Sequence, residues 1–124
     1  MKFLCIVMVD EKKLDALRSG EARALDDASI ANDQALRKSG HLLAANALER
    51  ARTAATVRVR NGKALITDGP FAETKEQVGG FLLIEARDRD EAIKLAAQVP
   101  VAGYATIEVR PVKELVASPN RASA

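Results

Sequence analysis

The dipeptide Asn61-Gly62 constrains this chain more than any other pair of residues. Before it, Thr56-Val57-Arg58-Val59-Arg60 alternates strictly between polar and apolar, and after it Lys63-Ala64-Leu65-Ile66-Thr67 returns. A two-residue type I′ turn needs positive φ at both central positions, which Asn and Gly tolerate, and its twist matches that of the flanking strands. The segment is therefore predicted to be an antiparallel hairpin. Its second strand ends at Thr67, which fixes where the next feature begins.

That feature runs from Thr67 to Phe81 and is rich in glycine, turn formers and charge, so it reads as a loop between strands. Asp68 has two readings. It can bond the backbone of its own turn, with Gly69 taking a conformation closed to other residues, or it can serve as an acid-base or ligand-orienting carboxylate. Glu73, Lys75 and Glu76 add ionisable groups that fit either a ligand site or a solvated loop. The expected geometry places Asp68 inward, lining the main pocket within reach of the first helix or of the strand that starts at His41. Gly69 and Pro70 shape the backbone, Phe71 forms an apolar wall, and Gly79-Gly80 let the chain re-enter the sheet without side-chain obstruction.

His41 is the chain's one histidine and the natural proton carrier, with a strand-edge role as the alternative. Asp68 and His41 are thus the catalytic candidates. Asn32, Gly69, Pro70, Phe71, Glu73, Lys75 and Glu76 are the candidate ligand-binding residues. Asn32 falls on the apolar stripe Leu25, Ala28, Leu36 of a helix predicted from about Glu21 to Ser39, so its amide is either a pocket donor or a core group with its own partners.

The remaining elements follow from periodicity. Phe3 to Val9 is apolar on both faces, as a covered central strand should be. Ser19 is the expected cap of the first helix, Leu14 and Leu17 suggest a preceding helical turn, and Gly40 sits at the helix stop. His41 to Ala45 reads as the second strand and Phe81 to Ala86 as a later one. Asp88 with Glu91 resembles a capping box for a helix from about Arg89 to Gln98, with Ala92, Leu95, Ala96 and Val99 inward and Pro100 as its stop. Tyr104 to Val109 is the last strand. The order β-α-β, hairpin, β-α-β is the split βαβ pattern of a ferredoxin-like α+β sandwich. One domain over 1–115 is expected, followed by a small, polar tail over 116–124.

The string Asp68-Gly69-Pro70-Phe71-Ala72-Glu73-Thr74-Lys75-Glu76, followed by Gly80-Phe81, resembles the signature of the DGPF branch of the YCII-related family of small bacterial proteins. The resemblance extends from Lys2-Phe3-Leu4 to Glu108-Val109-Arg110-Pro111-Val112. It implies a ferredoxin-like fold that pairs as a homodimer into a dimeric α+β barrel, and it implies no specific activity, because the family's biochemistry is largely unassigned. Many relatives carry a first-helix histidine proposed to work with an aspartate. Here that helix offers Ser29 and Asn32 instead. The family's genes often lie near alternative sigma factors, which implies a non-catalytic ligand-binding or regulatory partner as the alternative to an enzyme acting on a small molecule.

Composition narrows the classes. A chain of 124 residues with 48% apolar but 3% aromatic residues builds its core from aliphatic side chains. With 19 basic and 17 acidic residues its charge of +2 does not suggest a nucleic-acid partner, and Arg58 and Arg60 on one strand face lack neighbouring aromatics to stack on bases. No run approaches the ~20 apolar residues of a membrane span, and Met1 to Val9 ends in charge without a cleavage site, so a cytoplasmic protein is expected. One Cys and one His give no zinc site, and no dinucleotide, phosphate-loop or serine-elbow motif points to a cofactor. Cys5, within the first strand, reads as a small buried hydrophobe rather than a reactive thiol.

Overall fold

A computed structural model describes residues 1–119. Residues 120–124 of the expected tail lie outside the described residues. Strands β1 (Lys2–Val9), β2 (Leu42–Ala47), β5 (Gln77–Glu85) and β6 (Ala105–Pro111) form one sheet in the order β2-β5-β1-β6, every neighbouring pair antiparallel. Helices α1 (Glu11–Asp15) and α2 (Ser19–Lys38) connect β1 to β2, and α3 (Arg89–Ala97) connects β5 to β6. Two interleaved βαβ units result, the ferredoxin-like arrangement. Strands β3 (Ala55–Arg60) and β4 (Lys63–Asp68) form a separate two-stranded ribbon.

One sheet face carries the core. Phe3, Cys5, Val7 and Val9 of β1 alternate inward beside Leu82 and Ile84 of β5, closed by Leu36 of α2 and by Ala92, Ala96 and Val99 on the other side. Burial of each large aliphatic side chain stabilises the fold by roughly 1.5–3 kcal/mol. Cys5 is 1% exposed, and burial pushes its thiol pKa up to about 11, so it is protonated packing material. On the opposite face, Leu4 and Ile6 of β1 pair with Leu83 and Phe81 of β5, and these side chains, with Met8, are half-buried without a covering layer among the described residues.

Local chemistry sets the boundaries. Gly40 at φ 84° ends α2 in a Schellman arrangement, its N–H bonding to the Arg37 carbonyl and the His41 N–H to that of Leu36. The β3–β4 turn has Asn61 at φ 52° and Gly62 at φ 76°, as a type I′ turn requires. Asp88 accepts the Glu91 N–H at 2.9 Å, while the Glu91 carboxylate reaches back to the Arg87 N–H at 2.8 Å. Pro100 stops the helical segment by opening a 3₁₀ turn that delays the last strand to Ala105.

Three expectations are corrected. Ser19 is the first residue of α2 rather than its cap: Arg18 holds that position without a side-chain bond, and the capped helix is α1, where Asp10 accepts from the Lys12 N–H. The second strand begins at Leu42 and continues to Ala47. The later strand begins at Gln77, four residues before Phe81, because Gly79 is accommodated as a bulge opposite Val7 and Met8 and Gly80 pairs with both Val7 and Ala47.

Candidate functional site

The main cavity lies between α2 and the sheet, about 670 Å³ in volume. Its floor is built from small groups: Val7 and Val9 of β1, Ala45 and Ala47 of β2, and Gly80 of β5. Helix α2 is seated at its C-terminal end by the buried Leu36, and its remaining length stands over this floor, where residues of ordinary core size would have filled the gap. Gly80 cannot be enlarged to fill it, since a Cβ there would sit 2.8 Å from the Asn46 carbonyl oxygen. At one end, α1 contributes Leu14, and Leu17 follows from the connection to α2. Helix α1 is tied down by Arg50 to Asp15 at 2.8 Å and by the Ala51 N–H to the Glu11 carboxylate at 2.8 Å.

The roof supplies three polar lining residues, and Asn46 and Arg50 line the cleft as well. Ala22, Leu25, Asp26, Ser29, Ile30 and Asp33 recur at helical spacing and all line the cleft. Asp33 is half-buried, and its pKa is raised: partial burial disfavours the carboxylate more than the Arg37 charge favours it. A carboxyl group suited to holding a proton therefore faces an aliphatic chamber. The predicted stripe was rotated. Asn32 does not line the cleft; its side-chain nitrogen is buried and has no hydrogen-bond partner among the described residues. Asp26 and Asp33 were missed, although their helical spacing with Ala22, Leu25, Ser29 and Ile30 is the signal that could have found them, and Ser29, noted only as standing where relatives carry a histidine, does line the cleft.

The loop candidates lie elsewhere. None of residues 68–76 lines this cleft. Asp68 ends β4, exposed, and its carboxylate has no hydrogen bond or ion pair among the described residues, neither to its own turn nor to α2. Gly69 takes φ 102°; its N–H bonds to the Ala54 carbonyl and its own carbonyl accepts from the Thr56 hydroxyl. Pro70 is half-buried beside it. Phe71 is no pocket wall: it is 78% exposed, with the Arg58 guanidinium 5.4 Å from its ring centre. Glu73 and Lys75 are exposed and Glu76 is half-buried, its carbonyl accepting from the Thr74 hydroxyl. The unforeseen organiser of this loop is Gln77, whose amide donates to the Ala72 carbonyl at 2.8 Å and to Thr74.

His41 occupies the other end of the sheet. Its Nδ1 donates to the Glu85 carbonyl at 2.8 Å, and the Glu85 N–H returns to the His41 carbonyl at 2.7 Å, closing the β2–β5 ladder. The loop enters β5 at Gln77, so the two sites are separated by the length of that strand, roughly 26 Å at ~3.3 Å per residue. Asp68 and His41 are not brought together, because the antiparallel pairing of β2 with β5 sends them to opposite ends. Among the described residues no three His, Cys, Asp or Glu side chains gather as a metal site, and no helix is long and apolar enough to cross a membrane.

Comparison with known proteins places this architecture. An uncharacterised protein of Rhizobium meliloti (strain 1021) is 48% identical over 61 residues, a match that spans 48% of this chain and about half (49%) of that protein. A structure of 5-chloro-2-hydroxyhydroquinone dehydrochlorinase from Burkholderia phenoliruptrix AC1100, in complex with 2,5-dihydroxybenzoquinone, superposes with a TM-score of 0.54 at 19% identity. It covers 91% of this chain and 94% of that one, a likeness of fold. The YCII-related domain model matches residues 1–116, the whole of the two interleaved βαβ units and the ribbon between them, and the chain belongs to the YCII-related family.

Proposed function

We propose that this chain binds a small, ring-sized molecule bearing hydroxyl groups in the cleft under α2, and that Asp33 exchanges a proton with it. The observation that carries this reading is the placement of Asp33, its charged form disfavoured by burial, over an aliphatic chamber. The chamber's volume of about 670 Å³ is within the ~300–1,000 Å³ range of small-molecule sites. Largely aliphatic walls with polar groups on α2 and at Asn46 and Arg50 suit a flat, mostly apolar body with polar substituents. The fold shared with a dehydrochlorinase whose structure is a complex with 2,5-dihydroxybenzoquinone supports that size and chemistry.

Each residue then has a role. Asp33, holding its proton more readily than an exposed aspartate, takes or returns one at a substrate hydroxyl. Ser29, one turn before it on the same stripe, donates or accepts a hydrogen bond at a second substituent, and the exposed Asp26 accepts one a further turn back. The Asp68 to Glu76 loop leads into the strand whose Gly80 forms the floor, so it supports the site from outside.

Hydroquinone serves as the probe. On titration, backbone amide resonances of Ser29, Ala45, Ala47 and Gly80 should shift together, and Asp33→Asn should weaken the response by about tenfold, the loss of one charge-assisted hydrogen bond. Shifts confined to Asp68 through Glu76, with the α2 amides unmoved, would transfer the site to the loop.

A further inference from the structure

The β3–β4 ribbon has two unlike faces. The register pairs Val57 with Ile66, Val59 with Ala64 and Ala55 with Asp68 on one side, and Arg58 with Leu65, Arg60 with Lys63 and Thr56 with Thr67 on the other. The charged side is engaged by its own chain, since Phe71 of the following loop lies against Arg58. The apolar side is left in solvent: Val57 is 59%, Val59 60% and Ile66 69% exposed. No strand of the four-stranded sheet pairs with the ribbon. A lone two-stranded ribbon is marginally stable at best in water, so an apolar face built by such strict alternation needs a surface to rest on.

We infer that the ribbon is an arm that lays its apolar face on a second copy of this chain. Among the described residues the chain also leaves uncovered the open sheet face of Leu4, Ile6, Met8, Phe81 and Leu83. Two such faces stacked over the full width of the four-stranded sheet, the polar Thr106, Glu108 and Arg110 of β6 included, would cover roughly 400 Å² per copy, from strand spacings of ~4.8 Å and rises of ~3.3 Å. A stable interface needs about 800 Å² per partner. Each ribbon face is roughly 200 Å² by the same spacings. Under twofold symmetry every copy gives one arm and receives one, and those two contacts supply the missing area. The arm keeps Arg58, Arg60 and Lys63 in water while Val57, Val59 and Ile66 are covered.

The test compares Ile66→Glu, on the apolar face, with Leu65→Glu, on the charged one, by sedimentation velocity over a micromolar dilution series. The full chain should sediment as a dimer. Ile66→Glu should raise the dimer Kd by about 30-fold or more, as for the loss of a buried hot spot, and Leu65→Glu should change it by less than about threefold. Amide exchange of Val57, Val59 and Ile66 supplies a readout independent of variant folding, and should slow as the wild-type concentration rises. A wild-type monomer throughout the series overturns the inference. So does equal dimerisation by both variants, or ribbon exchange that does not respond to concentration. Binding of the ribbon to lipid vesicles by a monomeric wild type would assign the face to a membrane and overturn it as well. None of these outcomes bears on hydroquinone binding under α2.

Discussion

The cleft under α2 and the loop from Asp68 to Glu76 make a useful contrast. The loop concentrates four ionisable residues, a proline and a positive-φ glycine in nine positions, yet Asp68, Glu73 and Lys75 stand in solvent. The cleft has no contiguous motif. Its lining is spread over β1, α1, α2, β2 and β5, and it owes its volume to what is missing, since the small Ala45 and Ala47 leave space that a helix held at one end does not fill. A dense local string records what the backbone needs in order to turn. Enclosure comes from side chains distant in sequence, and enclosure is what changes a carboxylate's chemistry.

The most severe way to probe the contrast is to put a side chain where each region depends on glycine. At Gly80 a Cβ meets the Asn46 carbonyl oxygen at 2.8 Å and the Ala47 Cα at 3.3 Å, both backbone atoms of a paired strand that cannot step aside. Gly80→Val is expected to destabilise by about 3 kcal/mol or more, at or beyond the usual range for overpacking. At Gly69 there is open space, and the penalty of Gly69→Ala comes from φ 102° alone, about 1–2 kcal/mol. Urea unfolding of the two variants measures the difference. Equal losses would mean that the cleft floor is no more tightly packed than the loop.

These glycines also show what could be read beforehand. Asn61-Gly62, Gly40 and the Asp88–Glu91 cap each act within a few residues, so local rules recover them, and the alternation of β6 gives its sheet faces. The βαβ order follows from those elements. The site did not follow, because the rotation of α2 over the sheet places Ser29 and Asp33 over the cleft while Asn32 misses it, and one residue of helix phase is 100° of direction. The distance between Asp68 and His41 depends on the β2–β5 register, which no short window of sequence contains.

A milder probe exchanges charge for amide in the two regions. Asp68→Asn should alter neither hydroquinone binding nor stability, since the carboxylate is exposed and without partners among the described residues. Asp33→Asn should weaken binding by about tenfold while slightly raising the melting temperature at neutral pH, because it removes a charge that burial disfavours. Calorimetry on both variants reads both quantities. Loss of binding in Asp68→Asn with Asp33→Asn unaffected would reverse the assignment of site and scaffold.

The smallest expected effect is a difference of sign in acid, and it concerns Asp33 and Asp88. The Asp33 pKa is raised above its ordinary value of 3.8 by desolvation, so above 3.8 the folded chain binds this proton more tightly than the unfolded chain. Its contribution to stability therefore increases as pH falls through the raised value and levels off below 3.8. Asp88 behaves oppositely. The Glu91 N–H bond, followed by Arg87 and Lys94, holds its pKa below 3.8 against a smaller desolvation effect, so its contribution is complete above 3.8 and is lost as pH falls through the lowered value. Asp88→Asn keeps a good N-cap residue while removing the charge, and Asp33→Asn removes the other titration, so each variant isolates one slope. Melting temperatures of wild type and both variants across the acid range should show that Asp33→Asn gains least over wild type on the acid side of the Asp33 transition. Asp88→Asn should fall less steeply than wild type at the lowest pH. If Asp33→Asn instead follows the wild-type profile at a constant offset, the carboxyl is not desolvated by the cleft, and the contrast between cleft and loop loses its chemical basis.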